Sequence, residues 1–406
     1  MLANKKIDKK ILLIVIDGLA DKPIPQLGKK TPLEAAHTPY LDQLAKNGIC
    51  GIVLPYLFKN QEKPDSDICH LAIFGYDPKK YYLGRGPYEA AGVDLKLKVG
   101  DVALRVNFAT IDNNFRVIDR RAGRISQTEP LINSLNKIEI NGVKFILKKS
   151  FGHRAVLVLQ SKNKKLSAKI SDGDPKKVGL KVKEISPLNK KKSAIFTAQI
   201  LNEYLKKSYL ILKDHPLNKK RKQKGLLPAN YLLVRGAGQM KKTPSFQEKY
   251  GLKACCIAGG ALYKGVAKIL VMKLIKVKGA NGFVNTNLKG KILMAKNCLK
   301  KYDFVFLHIK ATDSLAEDGN FIGKKEFIER IDKNLKPLLN LKNVLIVVTG
   351  DHATCSLLKR HCLEPIPLLI FGREKDGVKK FSEKACKKGK LKIIKQLDLM
   401  KKILKS

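Results

Sequence analysis

The feature that most constrains this chain is a short apolar run that ends in a carboxylate and an imidazole. Residues 344–348 are rich in β-branched side chains, which is typical of a buried, parallel strand. Asp351 and His352 come almost directly after it, and His361 comes nine residues later. In open α/β sheets ligands bind at the carboxyl ends of strands, and carboxylate with imidazole suits Zn, Mn or Fe. A turn with a capping Asp and a surface His would give the same pattern, so this stretch alone leaves both interpretations open.

Two further apolar runs lead to acidic residues. Residues 11–16 run into Asp17, and residues 304–309 lead to Asp313, with Glu317 four positions further on. One helical turn would place Asp313 and Glu317 on the same face. Each acid by itself fits an ordinary turn or surface position. Three carboxylates that follow strands, together with two histidines, predict a two-metal site at one edge of the sheet.

A serine between two carboxylates, Ser66 in Asp65-Ser66-Asp67, is the candidate nucleophile. Two neighbouring negative charges oppose alkoxide formation, and no G-x-S-x-G motif surrounds the serine, so a Ser-His-Asp triad is not indicated. A divalent cation would reverse this logic, because it stabilises the deprotonated oxygen. A capping Ser at a helix N-terminus is the simpler interpretation, and it does not exclude the nucleophile.

The charge of the chain bears on its partners. The formal net charge is +46, from 81 Lys and Arg against 35 Asp and Glu. Lysines are spread over the whole chain and Arg, the better base reader, is scarce, which argues against nucleic acid. A positive field would attract a small anionic substrate.

No apolar run reaches about 18 residues, so we expect no membrane span. Residues 1–10 lack a cleavage site, so we expect no signal peptide.

The eight cysteines are irregularly spaced and include no C-x-x-C pair. This pattern predicts reduced, mostly buried thiols in a cytoplasmic protein. The sequence leaves the oligomeric state open, a homo-oligomer included.

The length of 406 residues exceeds the usual size of one core, so two domains are expected. Strand–helix alternation predicts an α/β core with a mainly parallel sheet over residues 1–112 and again over 195–406. Residues 113–194 change to short alternating strands with an Asn-Gly hairpin signal, which predicts an inserted α+β domain. Four arginines within 116–124 could bind phosphate or carboxylate bidentately, so we expect this domain to be a substrate-binding lid.

Further short apolar segments predict individual strands. Residues 155–159 and 166–170 are expected strands of the inserted domain. Residues 231–234 are expected to form a strand of the returning core that ends at Arg235. The lysine-rich tract 176–192 is interpreted as a solvated linker.

Together these motifs resemble those of a known family, the cofactor-independent (2,3-bisphosphoglycerate-independent) phosphoglycerate mutases of archaeal type, within the alkaline phosphatase superfamily. The resemblance covers essentially the whole length and implies a three-layer, alkaline-phosphatase-like core with a smaller inserted domain. The motifs that carry it are Val15-Ile-Asp-Gly18, Asp65-Ser-Asp67, His70-Leu-Ala72, Gly84-Arg-Gly-Pro87, Asp119-Arg-Arg-Ala-Gly-Arg124, Arg235-Gly-Ala-Gly238, Glu248-Lys-Tyr250, Lys310-Ala-Thr-Asp313, Gly350-Asp-His352, His361 and Pro365-Ile-Pro367.

The resemblance implies a phosphoserine mechanism that interconverts 2-phosphoglycerate and 3-phosphoglycerate. Ser66 would take the phosphoryl group from one hydroxyl of the substrate and return it to the other, without 2,3-bisphosphoglycerate and with two divalent metal ions. The matched ligands are Asp17, Ser66, Asp351 and His352 at one ion and Asp313 and His361 at the other. The substrate contacts implied by the same resemblance are Arg120, Arg121, His153, Arg235, Lys249 and Lys310.

The chain departs from the family pattern at Glu317, where the family has a histidine. A carboxylate can ligate Mn or Mg, so we predict that Glu317 is a ligand and that the site favours Mg or Mn over Zn. The alternative is that Glu317 points to solvent.

Two other functions stay open from the sequence. One is a different phosphotransfer on the same scaffold, such as that of a phosphopentomutase, which an assay for phosphoglycerate mutase activity would separate. The other is a basic binding protein that has lost catalysis, for which Glu317 would be the hint. Salt-dependent binding of nucleic acid without mutase activity would favour the latter.

Overall fold

Two sheets organise the part of the chain that the structure, a computed structural model, describes, which is residues 9–405. The chain divides into a first unit, which runs up to Tyr82 and resumes at Pro244, and a second unit from Leu83 to Thr243. The second unit is longer at both ends than the predicted insertion, 113–194. The residues on which the absence of a signal peptide was predicted lie mostly outside the described range.

The strands, in chain order, are β1 Lys10–Ile16, β2 Gly48–Leu54, β3 Val102–Ile111, β4 Val117–Asp119, β5 Glu139–Ile140, β6 Val143–Phe151, β7 Arg154–Ser161, β8 Tyr231–Gln239, β9 Ala254–Ile257, β10 Lys273–Leu274, β11 Phe304–Ile309, β12 Val344–Thr349, β13 Ala353–Cys355, β14 Arg360–Cys362, β15 Ile366–Phe371 and β16 Lys392–Lys395.

The α-helices are α1 Pro32–Ala35, α2 Pro39–Lys46, α3 Ser66–Ile73, α4 Pro78–Tyr81, α5 Arg85–Gly92, α6 Glu129–Leu135, α7 Lys192–Asp214, α8 Pro216–Gln223, α9 Phe246–Tyr250, α10 Ala261–Ile269, α11 Leu288–Cys298, α12 Ala311–Glu317, α13 Phe321–Leu335, α14 Glu383–Cys386 and α15 Leu399–Leu404.

The first unit is built on an eight-stranded sheet in the order β10-β9-β11-β1-β12-β15-β2-β16. The pairings from β10 through β12 are parallel, as is β16 with β2. β15 runs antiparallel to both of its neighbours. The predicted α/β class with a mainly parallel sheet is therefore confirmed, and the three apolar runs that predicted it are the central strands β1, β11 and β12.

Helices cover both faces of this sheet. On one face Leu12, Ile14 and Ile16 of β1 pack with side chains of α2, α11 and α13 in one continuous core. On the other face the ring of Tyr263, in α10, stacks on that of His308, in β11, with centroids 3.5 Å apart. Each fully buried Leu or Ile contributes about 1.5–3 kcal/mol to stability. The strands β1, β11 and β12 are buried along their length, so they hold the loops at their carboxyl ends in place.

The second unit contains an antiparallel sheet in which β8, β3, β7, β6 and β5 are neighbours and β4 also pairs with β3. Asn141 and Gly142 join β5 to β6 with φ of 50° and 76°, so the predicted hairpin is confirmed. The strand predicted at 155–159 is β7. The strand predicted at 166–170 is wrong, because that segment makes only an isolated bridge at Ile170.

The strand predicted at 231–234 exists, but it does not belong to the core sheet and does not end at Arg235. β8 continues to Gln239 and pairs with β3 in the second unit. This pairing explains the wider boundaries of the unit, because β3 and β8 lie outside 113–194 in sequence and inside its sheet in space.

Two of the cysteines contradict the prediction that all thiols are reduced. Cys355 and Cys362 form a disulfide, whereas the other six are free and buried. The two partners lie on β13 and β14, which pair as a short antiparallel hairpin. Cysteine spacing did not indicate the bond, because the hairpin, and not a C-x-x-C turn, brings the sulfurs together.

A helix that crosses a bilayer needs about 20 mostly apolar residues in succession. None of the helices between residues 9 and 405 is long and apolar enough to span a membrane.

Candidate active site

Three adjacent parallel strands bring carboxylates to one edge of the sheet. Asp17 follows β1, Asp351 follows β12, and Asp313 lies in the first turn of α12, directly after β11. We call these three residues the carboxylate edge. Gly18 makes the close approach possible, since it has φ of +63° and a Cβ there would lie 2.9 Å from the Cα of Asp313.

Ser66 is the first residue of α3, so the predicted capping position falls one residue earlier. The Oγ of Ser66 lies 3.0 Å from Nε2 of His352. His70, one turn along the helix, donates from Nδ1 to the carbonyl oxygen of Ser66 at 2.6 Å. The hydroxyl of Tyr82 donates to Oδ2 of Asp67 at 2.7 Å, which draws that carboxylate into a separate contact. The serine hydroxyl is thus oriented toward the imidazole.

The possible donor atoms form two overlapping groups, each within 4.8 Å. One consists of Asp17, Asp351 and His352, and the other of Asp313, His352 and His361. His352 belongs to both, whereas the family match assigned it to one ion. The two imidazoles stack with centroids 3.8 Å apart. The predicted ligands other than Glu317 therefore come together at one place.

The carboxylate edge is short of positive charge. Asp17 Oδ1 and Asp351 Oδ2 are buried and have no hydrogen-bond partner among the residues that the structure describes. Burial, and then Asp17 and Asp313, raise the pKa of Asp351 well above its usual range. The ammonium of Lys310 lies 2.7 Å from Asp313 and 3.6 Å from Asp17. One ammonium cannot neutralise three ionised carboxylates, so divalent cations fit the charge of this edge.

The hydrogen bonds of His352 leave its Nε2 lone pair facing the carboxylates. The hydroxyl of Thr354 donates to Oδ1 of Asp313 at 2.7 Å, so its oxygen accepts from Nδ1 of His352 at 3.2 Å. Nε2 is then unprotonated and lies 3.5 Å from Asp17 and 3.2 Å from Asp351. Burial, and then the second imidazole, lower the pKa of His352 to about 3, so its ring is neutral near pH 7. A neutral imidazole nitrogen is a metal ligand.

His361 lies beside Glu317 and differs from His352 in its protonation, because burial opposes the charged ring but the contact with Asp313 raises the pKa of His361. Nδ1 of His361 donates to the carbonyl oxygen of Pro64 at 2.7 Å, so Nε2 faces Asp313 at 3.4 Å and Glu317 at 3.8 Å. The Glu317 side chain is 52% exposed and belongs to neither donor group formed by the described residues. Burial, and then Asp313, raise the pKa of Glu317. Glu317 thus lies next to the second donor group but is not part of it.

Sequence reasoning gave no role to His70 or to three further residues that contact the side chains of the predicted ligands. Tyr263 donates a hydrogen bond to Oδ2 of Asp17, and Nε2 of His308 lies 3.4 Å from the same oxygen. Thr354 is the third, since its hydroxyl lies between two of the ligands. His308 carried a signal, as the only polar residue in the apolar run 304–309, whereas nothing local marked Tyr263 or Thr354.

Two of the predicted substrate-binding arginines meet in the second unit. Arg120 contacts both carboxylate oxygens of Asp174, at 3.2 and 2.7 Å. Nη1 of Arg235 lies 3.4 Å from Asp174 Oδ2. Burial opposes ionisation of Asp174, but the bonds from Arg120 and Lys176 and the charge of Arg235 together lower its pKa.

Three more arginines of this unit surround Glu89, and the sequence analysis did not assign them a role. Arg85 lies 3.2 Å from Glu89, and Arg105 lies 4.0 Å from it. Burial raises the pKa of Glu89, but the charges of Arg85, Arg105 and Arg154 together lower it. Burial, and then Arg85, lower the pKa of Arg105 to about 9. Arg105 had a signal, as the only charged residue of the apolar strand β3. We call the following set the arginine cluster: Arg85, Arg105, Arg120, Arg154 and Arg235.

The remaining predicted substrate contacts are dispersed. Burial, and then Arg154 and Arg121, lower the pKa of His153 to about 4, so two of the predicted contacts, His153 and Arg121, lie near each other. Lys249 bonds to the carbonyl oxygen of Gly75 and lies 4.0 Å from the centre of the Tyr76 ring. Burial lowers the pKa of Lys249 to about 8.

The chain is similar to known proteins over nearly its whole length. A family model described as 2,3-bisphosphoglycerate-independent phosphoglycerate mutase matches residues 45–218. A protein of Archaeoglobus fulgidus named 2,3-bisphosphoglycerate-independent phosphoglycerate mutase 1 is 47% identical over 402 residues, which cover 96% of each chain. A protein of the same name from Methanocaldococcus jannaschii is 46% identical over 402 residues, covering 97% of this chain and 96% of the relative.

Two solved structures are similar over nearly the whole chain. A protein from Pyrococcus horikoshii superposes with a TM-score of 0.84 at 36% identity, covering 98% of this chain and 96% of its own. A cofactor-independent phosphoglycerate mutase from Thermoplasma acidophilum superposes with a TM-score of 0.72 at 37% identity, covering 98% and 99%.

Proposed function

The chain belongs to the 2,3-bisphosphoglycerate-independent phosphoglycerate mutases, and from that premise we propose that Ser66 carries the phosphoryl group during the reaction. The enzyme interconverts 2-phosphoglycerate and 3-phosphoglycerate without 2,3-bisphosphoglycerate. The observation that supports Ser66 is the position of its Oγ, 3.0 Å from the unprotonated Nε2 of His352 and beside the carboxylate edge. The names of the relatives do not favour the phosphopentomutase-like or the binding-protein alternative.

The proposed transfer has two steps that mirror each other. The Oγ of Ser66 forms a bond to phosphorus as the bond from phosphorus to the C3 oxygen of 3-phosphoglycerate breaks, and the serine proton ends on that oxygen. The C2 hydroxyl then attacks the phosphoserine, the bond from phosphorus to Oγ breaks, and the hydroxyl proton returns to Ser66. Charge neutralisation and in-line positioning dominate such a reaction, and acid–base catalysis contributes less.

The chain's own residues favour this transfer over hydrolysis. Ser66 is 6% exposed, and Asp17, Asp351 and His352 are fully buried, so little water reaches the phosphoserine. His352 orients the serine hydroxyl, and His70 fixes the first turn of α3 through the serine carbonyl.

Divalent cations fit the donor set at the carboxylate edge. We propose that two ions bind there, one held by Asp17, Ser66, Asp351 and His352 and the other by Asp313, His361 and Glu317, and that they are Mg or Mn. When bound, they stabilise negative charge on the serine and phosphoryl oxygens.

Recognition of the substrate anions is assigned to cationic residues. We propose that Arg120, Arg121, Arg235 and His153 in the second unit, and Lys249 and Lys310 in the first, bind the phosphate and carboxylate groups. Arg235 is the best supported of these, because it shares Asp174 with Arg120 at 3.4 Å and keeps donors for a second partner. A cytoplasmic location and a homo-oligomer are further parts of the proposal.

Trapping of the phosphoenzyme tests the function. Enzyme with Mn²⁺ and 3-phosphoglycerate, quenched in acid, should show one phosphorylated serine at position 66 by mass spectrometry. Ser66→Ala should lose at least about 1,000-fold in mutase rate, as expected for removal of a covalent nucleophile. Ser161→Ala, in the second unit, is the control and should keep wild-type rate. Full turnover by Ser66→Ala would exclude the phosphoserine.

A further inference from the structure

Lys324, on α13, is a fully buried lysine that the proposed phosphoryl transfer does not use. Its Nζ donates to Oδ2 of Asp21 at 2.9 Å, to the carbonyl oxygen of Ala20 at 3.2 Å and to that of Thr354 at 2.9 Å. These three bonds use all three donors of an ammonium group. A buried ion pair contributes little net stability because of its desolvation cost, so stability alone does not account for this arrangement.

Asp21 binds the hairpin β13–β14 from the other side. Its two oxygens accept from the backbone N–H of Ser356 at 3.0 and 3.2 Å, and Oδ2 accepts from the Ser356 hydroxyl at 2.6 Å. The backbone N–H of Thr354 donates to the carbonyl oxygen of Ala20 at 3.1 Å. Hydrogen bonds therefore join both residues of the segment 20–21 to the hairpin, Ala20 through its backbone and Asp21 through its side chain.

The segments joined in this way are those that carry the predicted metal ligands. Residues 20–21 follow Asp17 in the loop after β1, and the hairpin follows His352 in the loop after β12. Lys324 itself comes from the helix that follows α12, which carries Asp313. One ammonium group thus connects three chain segments that each supply a ligand.

Thr354 transmits this connection to the ligands. Its carbonyl oxygen accepts from Lys324, and its hydroxyl lies between Oδ1 of Asp313 and Nδ1 of His352. The hydroxyl sets which nitrogen of His352 carries the proton, and so leaves Nε2 free for a cation. A displaced Thr354 would lose both effects.

We propose that Lys324 and Asp21 are positioning residues, which fix the hairpin before metal binds so that Thr354 holds Asp313 and His352 in their ligating orientation. The inference rests on the proposed metal site and goes beyond it, because neither residue is a ligand or a substrate contact. Groups that orient metal ligands from behind affect affinity through preorganisation.

The first experiment uses the metal-free wild-type enzyme. With the Cys355–Cys362 disulfide reduced, amide hydrogen exchange in residues 353–362 should be at least about 100-fold slower than in the unfolded chain, since the pair and not the crosslink then orders the hairpin without metal. Unprotected amides there, with protection appearing only when Mn²⁺ is added, would overturn the proposal whatever any variant does.

The second experiment removes the pair without leaving a lone buried charge. The double variant Lys324→Met with Asp21→Asn should bind Mn²⁺ about 10–100-fold more weakly by calorimetry. Amide hydrogen exchange in residues 353–362 of this variant should be faster than in the wild type. Saturating Mn²⁺ should restore most of kcat, because neither Lys324 nor Asp21 touches substrate. Lys325→Met is the control, as Lys325 is the next residue on α13 and pairs with Glu329 at 2.7 Å, away from this network.

The outcomes separate this inference from the proposed function. Wild-type Mn²⁺ affinity and exchange in the folded double variant would contradict the positioning role and leave the metal site intact. A wild-type enzyme that binds no Mn²⁺ would contradict the metal site itself. If the double variant does not fold, the exchange measured in the metal-free wild type decides the matter.

Discussion

The carboxylate edge of the first unit and the arginine cluster of the second carry opposite charge imbalances. At the edge, three buried carboxylates have one ammonium, Lys310, and two of their oxygens have no hydrogen-bond partner in the described chain. In the arginine cluster, five guanidinium groups surround two carboxylates, Glu89 and Asp174. The first region lacks positive charge and the second has an excess of it.

The difference indicates which partner each region requires. Three buried carboxylates this close together cannot all ionise unless cations bind beside them. The raised pKa of Asp351 reflects this repulsion as well as its burial. Guanidinium groups in excess over their carboxylates, with burial lowering the pKa of Arg105, can accept a phosphate or a carboxylate. A metal-dependent phosphotransferase acting on a doubly anionic substrate requires both kinds of region.

The comparison predicts its largest effect at Asp351. Asp351→Asn removes one negative charge and one unpartnered oxygen from the edge, so metal content and mutase activity should both fall, activity by at least about 100-fold. Elemental analysis and the mutase assay measure the two quantities. Asp303→Asn is the matched control, since this acid precedes β11, at the opposite end of the strand that leads to Asp313, and its side chain accepts from the backbone N–H of Lys253. Unchanged metal stoichiometry in Asp351→Asn would contradict the assignment of the edge as a cation site.

A smaller effect is expected at Arg235. Arg235→Met removes one charge-assisted contact to substrate, which is worth about 1.5–3 kcal/mol, so KM should rise about 10–100-fold. Metal content should stay at the wild-type value, because the arginine cluster is not a cation site. Arg116→Met is the control, as the Arg116 guanidinium contacts the Gly179 carbonyl and is exposed. A variant with wild-type KM would remove Arg235 from the substrate contacts.

The smallest effect is expected at Glu317, the position that departs from the family. Glu317→His replaces an anionic oxygen by a neutral nitrogen, so the ratio of activity with Zn or Co to activity with Mg or Mn should rise a few-fold, on the order of 1 kcal/mol. Glu326→His, on the exposed face of α13, should leave the ratio unchanged. If both metal preference and rate stay unchanged in Glu317→His, Glu317 is not a ligand.

Much of the first unit could be predicted from local sequence. The apolar runs that became β1, β11 and β12 are recognisable because a strand buried on both faces needs continuous hydrophobic residues. Because parallel neighbours end at the same side of a sheet, Asp17, Asp313 and Asp351 were expected near one another. Ser66, His352 and His361 were candidates from the residue pattern itself, and the resemblance to the family implied their roles.

The sequence was less informative where distant segments pair. The second unit extends to Leu83 and Thr243 because β3 and β8 pair over more than a hundred intervening residues, and no local pattern records that pairing. The disulfide between Cys355 and Cys362 likewise depends on a hairpin. Residues 166–170 alternate apolar and polar side chains as a strand does, yet among the described residues they make only the isolated bridge at Ile170.

The sequence by itself therefore determined the class of the fold, the positions of the buried strands along the chain and the residue types at their carboxyl ends, because hydrophobic pattern and turn chemistry act over a few residues. Only the tertiary structure decided that His352 lies in both donor groups, that Glu317 lies beside but outside them, and that Lys324 connects three ligand-bearing segments. These relations depend on distances between segments far apart in the chain. Such distances are set by sheet register and helix packing and leave no mark on the local sequence.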